Sequence, residues 1–177
     1  MEKVVITGMG TVNPLGLTVQ DSWQNVVNGV SGVGPITLFD STPHNVHFAA
    51  EVKDFKPENY MDAKEARRRD RFELLGAAAV KEALQDSGLT VNEANAGRIG
   101  VLVSSAIGGI MSLEDAVITN EKDGPRRISP FLIPMLMANG ASGLTAIDYQ
   151  IKGPALSVAS ACASGSDGIG VAFMMLK

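Results

Sequence analysis

The single thiol of this chain, Cys162, and its two imidazoles, His44 and His47, are the side chains with the readiest nucleophilic or acid–base chemistry. Cys162 follows the apolar run Ala155 to Ala159 and precedes a stretch of small residues opening at Ala163. That pattern predicts a strand, a tight turn and a helix, with the sulfur on the turn. A strand-to-helix bend projects a side chain into a site, as in the nucleophile elbow of hydrolases. A helix start also offers unpaired N–H groups and the positive end of a dipole, the setting in which a thiolate is favoured. Ala161, Ala163, Ser164 and Gly165 leave room for a substrate beside the sulfur. A lone free cysteine is commonly a small buried hydrophobe instead, so the surroundings must decide. Neither histidine supplies a base by sequence position. Both stand in the loop-rich stretch near Pro43, where surface exposure is the simpler expectation.

A second group is cationic. Lys64, Arg67, Arg68, Arg69 and Arg71 crowd one segment, opposed only by Glu65 and Asp70. On a continuous helix, Lys64, Arg67, Arg68 and Arg71 would share one face. Such a face either is simply solvated or steers an acidic partner toward the surface.

The elements that must position these groups alternate between strand and helix signals. Val4 to Ile6 and Ile99 to Val103 are β-branched or apolar runs of strand length. Asp21 is the expected cap of a helix ending at Asn28 and Gly29. Phe72, Leu75, Ala79, Val80, Ala83 and Leu84 form the clearest helical stripe, with Gly88 as its stop. Further helices are expected over 113–120 and 139–150. Residues 30–60 read as excursions over the surface. This alternation predicts an α/β fold with a parallel or mixed sheet covered by helices. Gly8-Met9-Gly10 after the first strand lacks the third glycine of a dinucleotide fingerprint, and Pro14 and Gly16 interrupt the helix that should follow.

Composition narrows the classes. With 15 Lys and Arg against 19 Asp and Glu, the net charge of −4 argues against general nucleic-acid binding. One cysteine excludes an internal disulfide, and with two histidines it gives no usual metal set. The chain has no stretch long and apolar enough to span a membrane, and its opening residues lack a secretory pattern. A reducing, cytoplasmic setting is expected.

Three segments carry a resemblance. Val4-Val5-Ile6-Thr7-Gly8-Met9-Gly10 with Asn13-Pro14-Leu15-Gly16 is similar to the opening of the condensing enzymes of fatty-acid synthesis. Arg126-Arg127-Ile128-Ser129-Pro130-Phe131 resembles their central loop. Gly153-Pro154 with Ser160-Ala161-Cys162-Ala163-Ser164-Gly165 resembles their active-site segment. The pattern is nearest the β-ketoacyl-[acyl-carrier-protein] synthases of type II. The resemblance implies a thiolase-like, layered αβαβα fold of two similar halves, with residues 1–177 as the N-terminal domain and the second half absent.

It also implies decarboxylative Claisen condensation. Cys162 would take an acyl group as a thioester, and the carbanion from malonyl-acyl carrier protein would attack it. Two histidines and a lysine of the family's second half support that step, and neither His44 nor His47 matches them. Full condensation is therefore not expected of this chain alone. No cofactor or metal is implied, since substrates ride on the phosphopantetheine of acyl carrier protein. The resemblance places carrier docking at Lys64, Arg67, Arg68, Arg126 and Arg127. It places the acyl pocket at Ile107, Leu132 and Ile133, the last two reaching across a homodimer. A thiolase-type enzyme acting on acyl-CoA, or a non-catalytic assembly half, would be the alternatives.

Overall fold

The structure, a computed structural model, describes residues 3–177. Met1 and Glu2, among the opening residues read above for a secretory pattern, lie outside the described residues.

The helix most legible in the sequence organises the rest. Helix α3 spans Arg71–Ser87. Asp70 and Glu73 cap it reciprocally: the Asp70 carboxylate accepts from Phe72 N–H, and the Glu73 carboxyl accepts from Asp70 N–H at 2.9 Å. This capping box satisfies donors that a helix start leaves open. Gly88 closes the helix at φ 64°, where a side chain would be strained. Helix α6 (Gly140–Asp148) packs against α3 and against a parallel pair of strands, β3 (Val101–Leu102) and β4 (Ala155–Leu156). The strands are in register with Val101 opposite Ala155 and Leu102 opposite Leu156. Helix α7 (Ser164–Leu176) packs on β3.

Two-residue strands hold little of themselves, and Ser142 of α6 completes them. Its fully buried hydroxyl accepts from Val103 N–H at 2.8 Å and donates to the Leu156 carbonyl at 2.6 Å. Ser104 Oγ adds a second tie, accepting from Val158 N–H at 3.2 Å. The loop after β3 and the loop after β4 are thereby fixed to one another.

The remaining elements surround this centre. They are α1 (Val19–Val27), the antiparallel pair β1 (Val33–Pro35) and β2 (Phe48–Ala50), and helices α2 (Ala63–Ala66), α4 (Ile110–Asp123) and α5 (Leu132–Leu136). Glu51 clamps the β1–β2 pair by accepting from the Thr37 and Leu38 N–H groups and the Thr37 hydroxyl. The excursions expected over 30–60 thus contain a small sheet, β1–β2.

Several expectations are corrected. Val4 to Ile6 is not a strand. No strand pairs with it among the described residues, and Val5 and Ile6 are 68% and 83% exposed. A strand needs a neighbour for its hydrogen bonds, and apolar residues alone do not supply one. The glycines after it serve close packing: a Cβ at Gly10 would lie 1.9 Å from the Ala79 carbonyl oxygen of α3. The backbone is held there by Met9 N–H donating to Asp86 and Thr11 N–H donating to Glu82. The cap of α1 is Thr18, whose hydroxyl accepts from Asp21 N–H; Asp21 stands in the first turn. The strands expected over 99–103 and 155–159 shorten to their paired residues.

Among the described residues few apolar side chains are buried, namely those of Ala78, Ala96, Val101 and Ala141. Polar and charged groups share the interior. Arg69 pairs with Asp148 at 2.6 Å, and Glu73 is 1% exposed. Burial, and then the charge of Asp70, push the Glu73 carboxyl up to about 7 against the pull of the Asp70 N–H bond and Arg69. The folded protein therefore keeps a proton that the unfolded chain, with an ordinary value of 4.5, has lost. Stability from this group is full at low pH, declines as pH rises through 4.5 to about 7, and is level above that. The loss is on the order of 3 kcal/mol. Glu73→Gln cannot ionise. Urea denaturation should show it gaining on the parent chain between pH 5 and pH 8. An unchanged difference at the two pH values would contradict a neutral buried acid at position 73.

Candidate functional site

Cys162 lies where the strand-to-helix pattern put it. β4 ends at Leu156, a short 3₁₀ turn covers Ala161–Ala163, and α7 begins at Ser164. The thiol is free and exposed. The chain reaches it through Ala161, which adopts a left-handed φ of 52°. For an alanine this conformation costs about 1 kcal/mol, and such outliers cluster at functional sites.

Three side chains hold the bend in that shape. The buried Ser164 hydroxyl accepts from Ser160 N–H at 3.0 Å and donates to the Ala161 carbonyl at 2.6 Å. The Ser160 hydroxyl donates to the Asp167 carboxylate. Asp167 stands in the first turn of α7, where negative charge complements the helix dipole. The bend is thus pinned at its carbonyl, at its entering N–H and at the helix it leads into. Ser160, Ser164 and Asp167 are the residues that sequence reading missed as a set. Their i, i+4 and i+7 spacing around the cysteine was the available signal.

The histidines stand elsewhere. His44 packs edge-on against Phe39, and His47 Nδ1 lies 3.4 Å from Ser41 Oγ. Among the described residues, no group of three His, Cys, Asp or Glu could hold a metal ion.

The cationic segment does not form one helical face. α2 ends at Ala66 and α3 starts at Arg71, because Asp62 caps the first and Asp70 the second. The residues between are turned in different directions. Arg69 is buried on Asp148, and Arg71 donates to the Val52 carbonyl at 3.0 Å. Lys64 and Arg67 stay exposed, while Arg68 is half-buried and pairs with Glu65 at 3.0 Å. The Arg68 guanidinium also sits 4.6 Å from the centre of the Phe131 ring. That contact brings Arg68 to the segment that follows the exposed Arg126 and Arg127. The two halves of the cationic set are therefore neighbours in space through Phe131.

Ile107 and Ile133 are 64% and 60% exposed, and Leu132 is partly covered. Ile107 sits in the loop after β3; Leu132 and Ile133 open α5. Gly109 N–H donates to the Leu136 carbonyl at 3.1 Å, so the loop and α5 are joined directly.

Comparison with known proteins places this arrangement. The family described as "Beta-ketoacyl synthase, N-terminal domain" matches residues 1–177. A 3-oxoacyl-[acyl-carrier-protein] synthase 2 from Synechocystis sp. is 47% identical over 176 residues, covering 99% of this chain and 42% of that relative. One of the same name from Staphylococcus aureus (strain COL) is 44% identical with the same coverage. The chain thus spans less than half the length of the curated relatives it matches. Among solved structures, a β-ketoacyl synthase from Burkholderia phymatum STM815 superimposes with a TM-score of 0.84 at 26% identity, covering 98% of this chain and 43% of that one. The fold is accordingly the thiolase-like fold of the ketosynthases. This chain belongs to the β-ketoacyl synthase family and corresponds to its N-terminal domain.

Proposed function

We propose that this chain supplies the acyl-accepting half of a 3-oxoacyl-[acyl-carrier-protein] synthase of fatty-acid elongation, with Cys162 as the acceptor. The observation that carries the reading is the pinned bend: an exposed thiol at the head of α7, reached through a left-handed Ala161. In the transfer, Sγ attacks the thioester carbonyl and the pantetheine sulfur leaves as a thiol, taking the proton that Cys162 gives up. The Cys162 N–H is one donor to the oxyanion that forms between those events. No cofactor enters, because the acyl group arrives on the carrier's own phosphopantetheine.

The later steps, loss of carbon dioxide from malonyl-acyl carrier protein and attack of its carbanion, need groups to polarise the malonyl thioester. His44 and His47 lie with Phe39 and Ser41 and do not serve. The domain performs the first half-reaction and depends on further structure for the second. Its exposed apolar residues support that dependence: Val5, Ile6, Ile169 and Met174 have no cover here, and uncovered apolar area marks an interface. A homodimer through this half, placing the partner's α5 residues at the acyl pocket, completes the reading. No helix among the described residues is long and apolar enough to cross a membrane; we place the working enzyme in the cytoplasm.

Carrier docking falls to Lys64, Arg67, Arg68, Arg126 and Arg127. Arg69 and Arg71 are excluded from it by their inward bonds. The Synechocystis relative is named for an acyl carrier protein, and such a carrier is the partner proposed for this surface.

Two experiments test this. The folded chain incubated with acyl-acyl carrier protein, or with the thiol-directed inhibitor cerulenin, should gain one adduct mass on the peptide holding Cys162. Cys162→Ser should gain none, and a folded parent chain that stays unmodified would sink the acceptor role. Reversing charge at Arg67 and Arg68 together should slow transfer from acyl-acyl carrier protein at least tenfold at low salt and flatten its salt dependence. Equal rates for parent and variant across the salt range would remove these arginines from docking.

A further inference from the structure

Beneath the proposed acyl pocket lies a buried acidic pair that the transfer chemistry does not use. Asp70 is 5% exposed, and its carboxylate accepts from both the N–H and the hydroxyl of Ser112, at 3.0 and 2.6 Å. Ser112 is in the first turn of α4, just after the loop that carries Ile107. A Cβ at Gly109 would lie 2.9 Å from the same Asp70 oxygen and 2.0 Å from the Met135 carbonyl oxygen of α5. One turn along, Glu73 reaches toward the start of α6. Its Oε1 has no hydrogen-bond partner, although the residue is buried. A Cβ at Gly140 would lie 2.1 Å from that oxygen and 2.7 Å from the Pro134 carbonyl oxygen. The beginnings of α4 and α6 and the end of α5 thus all close on two carboxyl groups at the head of α3.

An unpartnered buried carboxyl oxygen is costly unless the structure around it gains something. What it gains here is spacing. The carboxyl of Glu73 fills the volume that a side chain at position 140 would take, and Asp70 ties the first turn of α4, next to the Ile107 loop, to the same helix.

We propose that Asp70 and Glu73 are positioning residues that seat the Ile107 loop and the Leu132–Ile133 helix against each other, and that Glu73 with Gly140 thereby sets the acyl length admitted. The inference rests on the acyl-pocket reading above. It adds to that reading residues that touch no substrate and act through the segments that do. Moving either segment by a few tenths of an ångström alters the room left, in the proposed dimer, between the Ile107 loop of one copy and α5 of the other, because close-packed segments shift as units.

The test uses the 177-residue chain and its Gly140→Ala, Asp70→Asn and Ser112→Ala variants. Transfer from acyl-acyl carrier proteins bearing six and twelve carbons onto Cys162 is read by mass, as a ratio of the two rates. Iodoacetamide alkylation of Cys162 runs alongside as a measure of the thiol itself. The ratio should change at least threefold in Gly140→Ala and in Asp70→Asn, with alkylation within twofold of the parent. Should Asp70→Asn fail to fold, Ser112→Ala removes one contact of the same carboxylate and should shift the ratio in the same direction. Hydrogen exchange of peptides covering 104–113 and 131–140 should rise in the variants while that of 74–86 holds. Acyl uptake with an unshifted ratio and unchanged exchange would overturn the positioning role. No acyl uptake by the parent chain would instead sink the underlying pocket reading, and unchanged exchange in the same samples would then overturn the seating of the two segments as well.

Discussion

One buried hydroxyl sets the frame on which the site is built. β3 and β4 are two residues each, too short to fix their own register against thermal fraying. Ser142 spans both, taking the Val103 N–H and giving its proton to the Leu156 carbonyl. Those are the residues at which the two strands end and their loops begin. One loop runs to Ile107 and the other to Cys162, so the spacing between proposed pocket and proposed nucleophile is inherited from Ser142 of α6 together with the Ser104 tie. Alanine at position 142 would remove both bonds from the partly buried Val103 N–H and Leu156 carbonyl, at about 0.5–1.5 kcal/mol each.

The same logic explains why so much polarity lies inside a domain with so little buried hydrocarbon. Arg69–Asp148 joins the head of α3 to the end of α6, and Asp70–Ser112 joins it to α4. Ser164 and Asp167 hold the bend at Cys162. Such contacts contribute little net energy but demand particular geometry, since any displacement strands a desolvated group. The interior is therefore specified by directional bonds, while much of the apolar surface faces outward on α7 and the 4–6 segment.

How far this was legible in the sequence depended on whether a signal was local. α3 carried its own stripe and stop, and the helix formed over them as read. The strand-turn-helix around Cys162 was legible for the same reason. Val4 to Ile6 misled because its composition says strand, whereas a strand is a relation between two segments. Lys64 to Arg71 misled because helical spacing was assumed across Asp70. Asp70-Arg71-Phe72-Glu73 is itself a capping-box pattern, with Asp as the cap and Glu three residues on, and it marks a helix start at the place where continuity was assumed. The left-handed Ala161 and the Ser142 bridge left no local trace, because each is imposed by segments distant in sequence.

The break in that basic run has a consequence for how a carrier would be received. A continuous helix would have offered Lys64, Arg67, Arg68 and Arg71 as one charged ridge. The capped break turns Arg69 and Arg71 inward, where they hold the fold, and leaves Arg67 and Arg68 outward. Arg68 then lies over Phe131, the residue immediately before Leu132 and Ile133. A guanidinium over an aromatic face contributes roughly 0.5–1 kcal/mol at an exposed site, enough to hold the two segments in contact. It remains weak enough for an acidic partner to compete for the same cation. The segment that would receive the carrier is thus in van der Waals contact with the segment that would receive its acyl chain, and a charge placed on the first bears directly on the second.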